Sequence, residues 1–114
     1  MSSRRKNGGE MSADLVFSLD QSQPPPDMSK AMQALWWAKK GDFAVGPEWE
    51  RAHLLCQHGE GKPEFDLIHA LLHWMEGDMG NADFWYHRAG QKRTKPSVAE
   101  EWEHLAKRFD GGKA

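Results

Sequence analysis

The sequence predicts an all-α domain of about five short helices, forming two antiparallel hairpins with a C-terminal capping helix, preceded by a disordered tail. Three observations lead there. From Asp27 onward apolar residues recur at helical spacing, and Gly or Pro separates one periodic run from the next. Val and Ile are scarce, which argues against a sheet. Six Trp among 114 residues let a short chain bury much apolar area per residue, which a small core needs.

The tail comes first. Residues 1–27 hold Ser, Gln, Gly, charges and the run Pro24 to Pro26, too little apolar surface to offset ordering entropy, so they are expected to be mostly disordered. Within them "DLVFSLD", Asp14 to Asp20, reads either as a strip draped over the helical body or as a short docking peptide. A single helical domain covers residues 28–110. Met28, Met32, Leu35 and Trp36 mark the first helix, which "KKGD" at Lys39 to Asp42 closes. Pro47 opens the second, whose stripe is Trp49, Ala52, His53 and Cys56, and "HGEGKP" breaks it. The third begins after Pro63 and runs through Ile68, Leu71, Leu72 and Met75 to Gly77. The fourth, from about Asn81, carries Ala82, Trp85, Tyr86 and Ala89. Ser97 and Glu100 form a capping box for the fifth, whose stripe is Val98, Trp102, Leu105 and Phe109.

Composition excludes several classes. A net charge of -2 with 28% charged residues creates no field toward nucleic acid or an acidic membrane. No apolar run approaches the roughly 18 residues of a transmembrane helix. The basic N-terminus "MSSRRKNGGE" lacks the apolar core and cleavage site of a secretory signal. Cys56 is the only cysteine, so no intrachain disulfide forms and a reducing, cytoplasmic compartment is expected.

The helices also pair. "ALWWAKKGDF" followed by "WERAHLLC" and "ALLHWMEGDM" followed by "NADFWYHRA" share an apolar helix, a Gly-Asp turn, then Ala and bulky residues. Gly41 and Gly77 lie 36 positions apart, close to the roughly 34 residues of a tetratricopeptide repeat. Each glycine is read as ending its helix without a Cβ penalty. "EGDMGNADFWYHRAG" resembles a tetratricopeptide turn and second helix, with Ala82 and Ala89 at the small positions and Tyr86 at the bulky one. Ala34 and Ala70 suit the small position of the two first helices. More broadly, Ala34 to Gly90 with "EEWEHL" is similar to a group of short, uncharacterised bacterial proteins, a likeness that carries no function with it.

The tetratricopeptide resemblance implies a non-enzymatic adaptor or accessory subunit that binds a protein or peptide. Trp37, Trp74 and Leu71 are the expected partner-binding residues, because the outward face of first helices lines the groove of such repeats. The competing reading packs Trp37 and Trp74 against the fifth helix or the tail. Two hairpins fall short of the roughly three repeats usually needed, so the fifth helix or homo-oligomerisation must supply cover. Two departures stand out. "AVGPE", Ala44 to Glu48, reads as an insertion that splays the first hairpin, and repeat register places Asp66, His69 and His73 where apolar residues usually pack.

Those residues carry the main chemistry on offer. Asp66, His69, His73 and Glu76 form one stripe along the third helix. Imidazoles at i and i+4 can chelate Zn or another divalent transition metal, with Asp66 as third ligand. This metal-binding alternative competes with a purely structural role for the pair. The pattern is neither a di-iron site nor a metalloprotease motif, since both need glutamates the chain lacks at those spacings. His53 and Cys56 share a face, but Cys56 lies on an apolar stripe and reads as an inert filler, and no catalytic residue or cofactor is assigned. The basic stretch "RAGQKRTK", Arg88 to Lys95, reads as a solvated loop balancing the acidic "EEWE", so nucleic acid is disfavoured.

Overall fold

The computed structural model describes residues 19–112, and among them it contains α-helices and no strand. Five helices follow in order: α1 (Lys30–Lys40), α2 (Pro47–His58), α3 (Pro63–Met75), α4 (Met79–Arg88) and α5 (Val98–Gly112). None of the described helices is long and apolar enough to cross a membrane. The closest packing is between α1 and α2 and between α3 and α4, so sequential helices form two pairs. Every one of the other four helices packs on α3, and α5 also lies on α1.

Local chemistry accounts for the boundaries. Ser29 caps α1, its hydroxyl accepting from the Met32 amide at 3.2 Å, while Lys39 and Lys40 complement the dipole at the far end. Pro47 and Pro63 occupy first-turn positions, where a missing N–H is harmless. Asp78 caps α4 through the Asn81 amide, so this helix starts at Met79, two residues earlier than the apolar pattern suggests. The Glu100 amide donates to the Ser97 hydroxyl at 3.2 Å, placing the expected cap at the start of α5.

The core is built on the expected stripes. Trp36, Trp49, Trp85 and Trp102 are all buried, with Met32, Leu35, Ile68, Leu72 and Leu105 between them. Two indoles also tie helices together: Trp49 Nε1 donates to the Leu72 carbonyl at 2.9 Å and Trp102 Nε1 to the Leu35 carbonyl at 2.8 Å. The second bond fastens α5 onto α1, so α5 supplies the cover that two hairpins alone would lack.

Two expectations are corrected. The segment Ala44 to Glu48 does not splay the first hairpin, because Asp42 and Phe43 turn the chain at φ 58 and 59. The Phe43 amide bonds the Ala38 carbonyl at 3.0 Å, and its ring meets Trp102 at 6.1 Å. Left-handed backbone therefore falls on these two residues and not on Gly41, whose φ is -82; Gly77, at φ 84, does match its expected role. In the tail, residues 19–27 run as turns and bends, with Leu19 packed on the core and its carbonyl accepting from Lys40 Nζ at 2.8 Å. Leu19 thus agrees with a draped strip, whereas Asp14 to Ser18 and the earlier tail lie outside the described residues.

Two glycines make opposite predictions. A Cβ on Gly59 would meet the Phe65 ring at 2.3 Å, whereas one on Gly80, inside α4, would meet nothing within 4 Å. Gly59→Ala is expected to destabilise by about 2 kcal/mol through overpacking, and Gly80→Ala to stabilise by about 0.5 kcal/mol through helix propensity. Urea midpoints at constant slope check both signs.

Candidate metal centre

Every residue of α3 from Phe65 to His73 is buried, so its polar side chains cannot turn to water. His69 and His73, one helical turn apart, stack at 4.9 Å. From α2, His53 enters edge-on to both, with ring centroids 4.7 Å from His69 and 5.4 Å from His73. One nitrogen from each of the three imidazoles lies within 4.8 Å of the others. Two aromatic walls hold the rings: Trp49 stacks on His53 at 4.7 Å, and Trp85 of α4 stacks on His69 at 3.9 Å.

The hydrogen bonds set the tautomers. His73 Nδ1 pairs with the Glu76 carboxylate at 2.7 Å, so Nδ1 donates and the carboxylate accepts. His69 Nε2 and His53 Nε2 lie 3.0 Å apart, so one donates and the other accepts. In either arrangement His69 Nδ1, fully buried, finds no partner. Burial pushes His69 down to about 3, with further lowering from His53, His73 and Arg88. His53 is lowered by burial and then by His73. Both rings are therefore neutral at pH 7, the form a metal ligand requires.

The donor set fits a transition metal. Zn–N bonds of about 2.0–2.1 Å in a tetrahedron separate ligand nitrogens by about 3.3 Å. The His53 to His69 separation of 3.0 Å already lies near that, and the His73 nitrogen lies within 4.8 Å of both. Glu76 is bonded to His73 Nδ1, and a carboxylate in that role commonly orients a ligating imidazole.

Other expected site residues lie elsewhere. Asp66 is buried, but its Oδ1 accepts from the Gly61 amide at 3.1 Å and braces the loop before α3, so His53 and not Asp66 completes the group. Leu71 has no exposed surface, which removes its side chain from any partner contact. Trp37 and Trp74 are half-buried against the core, under the guanidinium groups of Arg51 at 5.1 Å and Arg93 at 5.2 Å. Within the basic stretch, Arg93 also pairs with Asp83 at 3.5 Å and Arg88 lies 5.0 Å over Trp85. Cys56 is fully buried and burial pushes its thiol well up, in keeping with an inert filler. His53 was the residue that spacing within one helix could not reveal, although an imidazole on the buried stripe of α2 is itself a signal.

Comparison with protein-family models, curated proteins and solved structures finds no match.

The buried imidazoles make stability pH-dependent with a definite sign. Below 6.5, the ordinary value, an unfolded His69 takes up a proton that the folded one, held near 3, refuses. The unfolded state then binds more protons, so stability is full above 6.5 and falls as pH drops toward 3. In EDTA, urea midpoints should decline less steeply over that window for His69→Phe than for the native protein; equal slopes would refute this account.

Proposed function

We propose that this protein binds a divalent transition metal through His53, His69 and His73, with Glu76 orienting His73, and that its role is non-enzymatic. The observation that carries this reading is the arrival of His53 from a second helix, within 4.8 Å of the α3 pair. Two imidazoles on one helix are a common surface or structural motif, whereas three convergent imidazole nitrogens are the kind of donor set that holds a metal. All-nitrogen donors suit Zn, Ni and Cu. The lone Cys56, held as an inert thiol, suits a reducing, cytoplasmic setting.

Metal titration of untagged protein tests it. One ion per chain should bind. His53→Ala, His69→Ala and His73→Ala should each weaken binding by more than about a hundredfold, and Glu76→Gln by about tenfold. Asp66→Asn should leave affinity nearly unchanged. Cu(II) should quench Trp49 and Trp85, which stack on two of the ligands. Substoichiometric binding, or affinity indifferent to His53, sinks the proposal.

A second reading keeps the adaptor role and rests on a different surface. Half-buried Trp37 lines a groove of about 400 Å³ with Pro24, Arg51, Leu54 and Leu55, and Leu54 is 51% exposed. An aromatic anchor beside exposed aliphatic surface is the composition of a protein-binding hot spot. If the groove holds a peptide or protein, Trp37→Ala and Leu54→Ser should each reduce capture of that partner more than tenfold, roughly the loss expected of a hot-spot truncation. Capture indifferent to both substitutions removes this reading.

A further inference from the structure

Glu101, on α5, is 4% exposed, and its Oε2 accepts the Tyr86 hydroxyl at 2.6 Å. Burial, then this hydrogen bond, pushes the Tyr86 phenol above its ordinary value, so the tyrosine donates and the carboxylate accepts. Among the described residues no Lys, Arg or His nitrogen pairs with Glu101 within 4.0 Å. A carboxylate has about four acceptor sites, and a single phenol leaves most of them unused. The second carboxylate oxygen is not among the fully buried atoms that lack a partner, so it remains open to a ligand, and Glu101 sits in the first turn of α5, where the helix dipole favours an acid.

The carboxylate lines a cavity of about 620 Å³ between α4, the loop after it, and α5. Leu67, Tyr86, Glu101 and Leu105 form its buried floor, whereas Lys92, His87, His104 and Arg108 stand exposed at its rim. The size falls within the range of small-molecule sites, about 300–1,000 Å³, and an apolar floor with few polar groups is their usual composition. The charges are segregated: one acceptor is deep and two fixed cations, Lys92 and Arg108, are outside. A simple anion would meet the Glu101 carboxylate at the floor. A simple cation would have to pass Lys92 and Arg108. A molecule carrying both charges satisfies both ends.

We propose that this cavity is a binding site for a small zwitterion, a free amino acid or a dipeptide, whose ammonium pairs with Glu101 beside Tyr86 and whose carboxylate meets Lys92 and Arg108. None of these residues belongs to the histidine cluster, so the inference stands or falls independently of metal binding.

Saturation-transfer NMR and calorimetry on the full chain test it with the twenty free amino acids and their glycyl dipeptides. Each binder is then repeated as its N-acetyl derivative and as its C-terminal amide. At least one zwitterion should bind with Kd below about 1 mM, and each blocked form should bind about tenfold more weakly. Glu101→Gln, which keeps the shape and a partner for Tyr86, should cost a similar factor, and the exposed pair Lys92→Ala/Arg108→Ala should do the same. If Glu101→Gln fails to fold by thermal melting, the rim pair decides. Which library binds distinguishes amino acid from dipeptide. The proposal is overturned by no saturable binding at about 10 mM, by an N-acetyl form or an amide that binds as tightly as its parent, or by variants that bind unchanged.

Discussion

Enclosure of α3 is the constraint from which the rest of the structure follows. A helix surrounded by four others must satisfy each polar side chain within the protein, because an unpartnered buried group costs about 1–3 kcal/mol. Asp66 is satisfied by the Gly61 amide and His73 Nδ1 by Glu76, whereas His69 is met by His53 at Nε2 only. The neighbours are held to those positions by indole N–H groups aimed at backbone carbonyls, Trp49 onto Leu72 and Trp102 onto Leu35. In a chain this short, tryptophan contributes apolar area and a directional tie at once. Trp49 and Trp102 serve in both ways, whereas Trp36, equally buried, contributes area alone, its Nε1 having no partner.

The same enclosure makes the histidines informative. Buried polar clusters can often be replaced by well-packed apolar residues at no loss of stability, or with a gain. Here three imidazoles occupy space that Leu or Phe would fill, two are held neutral against their usual protonation, and His69 Nδ1 remains without a partner. A purely structural network would be expected to satisfy all its members. Two neutral rings, a third imidazole converging on them and one nitrogen without a partner make a set that a bound ligand would complete.

Helix number, order and four of the core tryptophans were legible because they depend on periodicity and on local caps and breakers, such as Ser97 before Glu100 and Pro63 before the third helix. What failed was whatever needed the distance between elements. Asp66 and His73 share a stripe, yet seven residues at a rise of 1.5 Å separate them by about 10 Å, too far to share one ion. The third histidine instead comes from α2, sixteen positions before His69, and only the antiparallel packing of α2 on α3 brings it there. Leu71 was misjudged for a related reason. The face of α3 that repeat geometry would leave open lies inside a bundle in which α1 and α5 also pack on α3. The tight turn at Asp42 and Phe43 was hidden as well, since a bulky residue at positive φ runs against local preference and is held by its contact with Trp102.

The two candidate sites share a wall. Trp85 and Tyr86 are adjacent on α4 and so point about 100° apart: one ring lies on His69, and the other reaches Glu101. The helix is short and held at both ends, by Asp78 at its start and by the Gln91 amide on the Tyr86 carbonyl at its close. An element fixed in this way shifts as a unit, so a displacement that tightened the stack of Trp85 on His69 would also move the Tyr86 hydroxyl relative to Glu101. Packed interiors pass on such shifts because they have little free volume to absorb them. The sequence "DFWYHRA" therefore does more than close a hairpin: its two aromatic neighbours divide one short helix between an imidazole cluster and a buried carboxylate.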